Sequence, residues 1–467
     1  MADASTTRRT QEFFLGEGTA PGTASGTEGT ENLLVNVGPS HPAMHGIVRI
    51  LTELDGERVV RADVEIGYLH RAFEKECEIG PYNNAMPYTD RLNYVSPLIN
   101  NFGYAACIEK LLGIEVTERC QYIRVIMSEI SRICDHLTCI GASAMELGAF
   151  TAFLYMVKAR EFLWEAIEQV TGARLTISYG RVGGVKADLS PEIEAAVRMA
   201  FKETREVLAE VHKLLTGNRI FMDRMQGVGA LSREETIGWA ITGPMLRACG
   251  VPYDVRRATP YWVYDRMDFE IPVGEAGDNY DRYLVRMAEM EQSMRIVEQA
   301  VAAIPGGAVN VDFEGRPLVA PAEFVDRGKL GKTGGLLLTP LRLSPNLAGQ
   351  ERPLHDRVNV PDRRTVLPPK ETTYGSIEGL MNHFMLIMEG FGIRPPRGEA
   401  YFPVEGANGE LGFYVVSDGT DRPYRVRCRP PCLPPVAALH RMIEGGMVAD
   451  IVPTFGSVNM IGGEMDR

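Results

Sequence analysis

Asn36-Val37-Gly38-Pro39-Ser40-His41-Pro42-Ala43-Met44-His45-Gly46 places two of the chain's eight histidines four residues apart. On a helix that spacing would put both imidazoles on one face, as in a metal site. Gly38, Pro39, Pro42 and Gly46 argue otherwise, because proline disfavours helical geometry for the residue before it. The segment therefore reads as a tight loop whose two rings point different ways. Leu33-Leu34-Val35 on one side and Gly46-Ile47-Val48-Arg49-Ile50-Leu51 on the other read as strands, so the histidines sit at the tip of a hairpin. The same residues also fit a pair of hydrogen-bonded loop histidines with no chemical role.

Outward from this loop, Asp55-Gly56 separates two further apolar runs and marks a second hairpin turn. Residues 32–66 are expected to form a small antiparallel sheet carrying the loop. Residues 1–31, rich in Gly, Thr, Ala and Glu, bury too little to offset the entropy of ordering and are expected to be disordered or docked on a partner. Residues 67–306 turn helical. Ile123, Ile126, Ile130, Ile133, Leu137 and Ile140 recur at three and four on a helix opened by Thr117. Others are expected from about Thr151 to Val170, ending at Gly172, and from Ser190-Pro191-Glu192 to Leu215. A further one runs from Asp278 to Ala303, stopped by Pro305-Gly306-Gly307. Several are apolar on more than one face, as in a central bundle. Residues 307–467 complete the same fold: an irregular Pro/Gly/Arg-rich stretch, a helix over Gly375–Phe391, a strand pair at Gly409–Gly419 and Arg422–Arg429, and a last helix near Pro435–Glu444. The fold class is α+β, mainly α, with a helical bundle and small antiparallel sheets in the N- and C-terminal regions.

Composition limits the function. A chain of 467 residues with 45% hydrophobic and 24% charged residues is globular and too long for one ordinary core. Its net charge of −12 speaks against binding nucleic acid, which needs a basic face. No uninterrupted apolar run reaches the roughly 18 residues of a membrane span. The N-terminus lacks a charged segment followed by an apolar core, so the chain is expected to stay on the cytoplasmic side. The eight cysteines (77, 107, 120, 134, 139, 249, 428 and 432) form no C-x-x-C, which reads as free, mostly buried thiols and no metal held by this chain. Neither a dinucleotide fingerprint, a phosphate loop nor a nucleophile elbow is present.

What remains for proton chemistry is His41, His45, Tyr94 and Glu146. Imidazole titrates near neutrality and a phenol can donate a proton, which suits a substrate whose oxygens gain protons on reduction. Glu146, in the apolar Ala144-Met145-Glu146-Leu147-Gly148, needs a partner if buried, and an imidazolium is a natural one. Glu146 also reads as a surface residue at a helix end, and Tyr94 as a core tyrosine. Arg49, Arg71, Arg91, Arg124 and Arg132 would satisfy carboxylates between helices, or tune a nearby redox centre.

Several segments, in one order, resemble the D subunit of the proton-pumping NADH–quinone oxidoreductase, respiratory complex I. They are Asn36–Gly46, Gly67-Tyr68-Leu69-His70-Arg71-Ala72-Phe73-Glu74-Lys75, Asp90–Val95 and Gly243-Pro244-Met245-Leu246-Arg247. Gly409–Asp418 with Arg422–Arg425, and the ending Gly463-Glu464-Met465-Asp466-Arg467, complete the set. The likeness runs from about residue 32 to the C-terminus.

The resemblance implies a fold shared with the large subunit of nickel–iron hydrogenases. One hydrogenase cysteine pair would fall at Asn93 and Ser96 and the other at about Cys432 and Pro435, so a four-thiolate nickel site cannot form. In the family the vacated metal cavity is the inner end of a quinone chamber. His45 and Tyr94 would then hydrogen-bond the two quinone oxygens, and Glu146, where the family often has Asp, would pair with His45. His41, Met44, Arg71 and Arg91 are the further positions expected around the cofactors, Arg71 near a [4Fe–4S] cluster ligated by the neighbouring B subunit.

Thr176 replaces a histidine that many members carry beside that cluster, which implies a cluster potential less dependent on pH. The substrate would be ubiquinone or menaquinone. The partners would be the B and C subunits and the membrane component at the quinone entrance, with the chain peripheral on the cytoplasmic side of the cell membrane. Alternatives are a coupling or scaffold component with no bound substrate, or the equivalent chain of a related complex fed by another donor.

Overall fold

A computed structural model of the chain describes residues 32–189, 192–311, 315–317, 370–375, 377–388, 390 and 392–467. The expected N-terminal tail and most of the Pro/Gly/Arg-rich stretch lie outside the described residues. β1 (Leu33–Val37) and β2 (Arg49–Asp55) pair antiparallel with Val37 opposite Ile50, so the histidine loop is the tip of a hairpin. The Asp55-Gly56 turn leads into β3 (Arg58–Glu65), which pairs with β2.

The bundle is organised around one long helix. In order come α1 (Pro97–Leu112), α2 (Glu118–Glu146), α3 (Phe150–Thr171), α4 (Ile193–Val211) and, later, α5 (Asn279–Ala303). Thr117 opens α2 by accepting from the Cys120 amide at 3.2 Å, and Asp278 opens α5 by accepting from that of Asp281 at 2.8 Å. Ile123, Ile126, Ile130, Ile133 and Leu137 of α2 are fully buried, each contributing roughly 1.5–3 kcal/mol of transfer free energy. α2 packs against α3 on one side and α5 on another, and α3 against α4. The fourth helix departs from expectation at its end, where α4 passes into a π-helical turn over His212–Thr216. The expected cap at Ser190-Pro191 lies outside the described residues.

Charges fix the rotation of α2. Glu129 is fully buried and accepts from Arg132, Arg256, Tyr264 Oη (2.6 Å) and Ser293 Oγ (2.7 Å). Arg247 joins Glu289 of α5 (2.6 Å) to Glu405 (2.8 Å), and His136 of α2 reaches Glu289 at 2.9 Å. Such a network adds little net stability over apolar packing, but removing one member strands a buried charge, so it specifies register.

The C-terminal region has three strands where two were expected. β4 (Gly398–Gly406) pairs with β5 (Gly409–Ser417), which pairs with β6 (Pro423–Arg429). β4 escapes a sequence reading because Pro403 and Glu405 break its apolar alternation. Within Gly375–Phe391 the described helix is α6 (Ile377–Ile387). The helix expected near Pro435–Glu444 is two short ones, Leu433–Ala437 and Leu439–Ile443, split at Ala438. α7 (Ile451–Val458), which contains Pro453 and Gly456, was not expected, and it packs on α2. Asp466 accepts from the amides of Gly67 and Leu69, and Arg467 pairs with Glu74, so the last residues are stitched to the Gly67–Lys75 segment. Among the described residues no helix is long and apolar enough to cross a membrane.

Candidate active site

A cavity of about 360 Å³ opens where the histidine loop, α2 and α7 meet, within the size range of small-ligand pockets. Thr138, Cys139, Ala142, Ser143 and Glu146 of α2 form one wall. Their spacing of three and four places them on a single helical face. His45 and Ile47 come from the loop and Tyr94 and Val95 from the turn before α1. Phe455, Gly456 and Asn459 come from α7 and its end, and Leu69 with Ile461 and Gly462 closes the remainder.

The loop's proline and glycine content sets the two histidines apart, as expected. His41 caps a 3-10 turn over Pro42–Met44, its Nδ1 accepting from the Ala43 amide at 3.2 Å. His45 ends that turn in the left-handed region, at φ 53°, and so faces the cavity. Its Nε2 lies 3.6 Å from Glu146 Oε1, a charge contact too long for a hydrogen bond.

Burial acts on both partners. It lowers the imidazole's proton affinity and pushes the Glu146 carboxyl up to about 7. Both shifts run against the expected imidazolium–carboxylate pair, because burial favours the neutral form of each partner. Glu146 Oε2 is buried with no hydrogen-bond partner among the described residues. A Cβ added at Gly456 would stand 2.5 Å from it.

Tyr94 is half exposed into the cavity, and burial, then the Asp135 charge, raise its phenol above the ordinary range, against Arg160. Behind it lies a sealed polar network. Asp135 accepts from Asn93 Nδ2 (2.6 Å), Ser96 Oγ (2.9 Å) and Asn459 Nδ2 (2.8 Å). Asn459 also donates to Asn408, whose own amide donates to Cys432 Sγ at 3.3 Å. Asn93, Ser96 and Cys432 are therefore linked through the Asp135 carboxylate and the Asn459 and Asn408 amides. Glu464, which burial raises to about 8, accepts from the Cys432 amide at 3.1 Å. Among the described residues no three His, Cys, Asp or Glu side chains stand together as a metal site.

The other expected positions do not line the cavity. His41 is exposed and Met44 is fully buried beneath the loop. Arg71 donates to the Arg91 carbonyl at 2.7 Å and Arg91 to that of Pro87 at 2.7 Å, forming a pair beside the C-terminal Gly463. Arg49, Arg124 and Arg132 hold carboxylates, as structural arginines do. Thr176 is exposed on the segment after α3. Thr138, Ser143, Phe455 and Asn459 were not anticipated. Helical spacing from Glu146 back along α2 would have found Ser143 and Thr138, whereas Phe455 and Asn459 arrive only through tertiary folding.

Comparison with known proteins gives a consistent picture. The family model described as the 49 kd subunit of the respiratory-chain NADH dehydrogenase matches residues 146–327 and 348–467. An NADH-quinone oxidoreductase D subunit of Sorangium cellulosum is 49% identical over 438 residues, 94% of this chain and 96% of that protein. The D subunit of Myxococcus xanthus is 48% identical over 438 residues, 94% of this chain and 93% of its own length. A Bdellovibrio bacteriovorus protein named as the C/D subunit of NADH-quinone oxidoreductase is 44% identical over 447 residues, covering 96% of this chain and 71% of that protein.

Proposed function

The chain belongs to the 49 kd subunit family of the respiratory-chain NADH dehydrogenase, as one component of an oxidoreductase, and from that premise we propose that its cavity receives a quinone headgroup. One observation carries the reading: three groups able to move a proton, from separate parts of the chain, line one cavity. Tyr94 Oη and the His45 imidazole hydrogen-bond the two quinone oxygens, and Glu146 stands against the ring's Nε2.

Reduction takes two electrons and two protons. The electrons come from NADH through the complex, the last carrier being a [4Fe–4S] cluster on the neighbouring B subunit. As the quinone oxygens become basic, Tyr94 gives the proton of its hydroxyl to one. The proton held by the His45–Glu146 pair passes to the other through the ring. Glu146 is left as a carboxylate facing a neutral imidazole in a poorly solvated cavity. That uncompensated charge is the event transmitted to the membrane components as proton pumping. The chain sits peripherally at the membrane. The C subunit is a neighbour, as the C/D relative from Bdellovibrio bacteriovorus suggests.

A photoreactive quinone analogue should label residues near His45 or Tyr94 in the assembled complex. His45→Ala and Tyr94→Phe should assemble yet lose most quinone reduction while NADH oxidation by an artificial acceptor persists. Unchanged quinone turnover in both variants overturns the assignment and leaves the scaffold reading.

A further inference from the structure

Arg160 of α3 reaches the back of the cavity wall. Its Nη1 donates to Thr138 Oγ1 at 2.9 Å, and Thr138, which passes its own proton to the Cys134 carbonyl at 2.7 Å, lines the same cavity as Tyr94. The guanidinium carbon stands 4.2 Å from the centre of the Trp164 ring, one turn further along α3. Its Nε is buried with no hydrogen-bond partner among the described residues. The adjacent Glu161 is engaged by Arg174. A guanidinium at a cavity wall with a hydroxyl anchor, an aromatic support and no carboxylate in contact among the described residues is not a structural ion pair like those of Arg124, Arg132 or Arg247.

We propose that Arg160 is a positioning residue for Tyr94, stabilising the phenolate left when Tyr94 gives its proton to the reduced quinone. The inference rests on the quinone reading for its role in turnover, but not for its effect on the phenol. Cys139 and Glu146 of α2 and His45 of the loop line the cavity with the phenol, and the Asp135 charge acts on it from behind; none of these is a permanent cation. Arg160 from α3 is a permanent cation joined through Thr138 to the wall of the cavity that Tyr94 lines, and the electrostatic influence is mutual: Arg160 opposes the rise in Tyr94's proton affinity, and Tyr94 opposes the burial-driven fall in that of Arg160. A phenolate formed between Asp135 and an ionising Glu146 would otherwise meet only repulsion.

The step balances within the reaction already proposed. The O–H bond of Tyr94 breaks, its proton joins a quinone oxygen reduced by electrons from the complex, and the negative charge remains on Tyr94 Oη beside Arg160. Re-protonation then resets the site.

The test uses the assembled complex with 3-fluorotyrosine at position 94, its phenol titrated by fluorine NMR, in wild type, Arg160→Gln and Arg160→Lys. Arg160→Gln should raise the phenol pKa by about one unit and lower kcat about tenfold with KM for quinone little changed, whereas Arg160→Lys should keep most of both. Replacing 3-fluorotyrosine by the more acidic 3,5-difluorotyrosine should restore much of the lost kcat in Arg160→Gln. Should Arg160→Gln fail to assemble, Thr138→Val removes the anchor but keeps the charge, and should move the phenol pKa in the same direction by less. A phenol that titrates alike with Gln, Lys and Arg at position 160 overturns the proposal. A shifted phenol with unchanged quinone turnover overturns instead the role of Tyr94 as donor.

Discussion

Replacing Glu146 by glutamine tests the protonation scheme most directly. Burial raises this carboxyl from 4.5 to about 7, a difference of about 2.5 units, or about 3 kcal/mol between its two protonation states. The folded chain holds the proton more tightly than the unfolded chain, so folding takes one up between those two values. The stabilisation by the neutral carboxyl is therefore complete below 4.5 and lost as pH rises through about 7. Glutamine copies the neutral form at every pH. Glu146→Gln should thus unfold at a higher temperature than wild type at about pH 8, with the gap closing towards about pH 5. In difference infrared spectra a carboxylic-acid C=O band should titrate near neutrality in wild type and vanish in the variant. Quinone reduction should fall with pH above about 7 in wild type, because the donor-competent fraction falls, and be low and flat on that limb in Glu146→Gln. Glu146→Asp should retain the limb. A carboxyl band titrating near 4.5, or the same alkaline limb in Glu146→Gln, would refute the reasoning.

Three other outcomes follow, two from the geometry and one from the proposed function. Gly456→Ala puts a methyl 2.5 Å from Glu146 Oε2 and 3.3 Å from Ser143 Oγ, so the carboxyl must swing away from its seat; quinone reduction should fall about tenfold or more in complex that still assembles, measured against artificial-acceptor activity. Arg247→Ala strands the buried Glu289 and Glu405 carboxylates and should cost about 3–5 kcal/mol, read as lost assembly or a lowered unfolding midpoint. On the proposed reading that electrons arrive from a cluster on the B subunit, wild type should show a weakly pH-dependent potential for that cluster, and Thr176→His should steepen it in a potentiometric titration; a full proton-coupled slope in wild type contradicts this.

How far the sequence reached depends on how local the signal is. α2 and α5 were readable because their apolar spacing and caps lie within one segment, and the β1–β2 hairpin because glycine and proline at Gly38–Gly46 forbid any other local geometry. β4 and α7 were not, because Pro403, Pro453 and Gly456 contradict the local pattern and are tolerated only through packing against α1 and α2. Of the candidate site, His45, Tyr94 and Glu146 were legible in the chain, whereas Thr138, Phe455 and Asn459 were not.

The sequence by itself determined that the histidine loop is a turn between strands, that α2 is a long buried helix, and which family the motifs resemble. Only the tertiary structure decided that His45 turns inward while His41 caps its own loop. It also decided that Glu146 faces the His45 ring across 3.6 Å, and that Arg160 is bonded to Thr138 in the cavity wall. The reason is physical: proton affinity and charge partnership depend on what surrounds a group in space, and here the surroundings come from segments as far apart as Tyr94, Arg160 and Phe455.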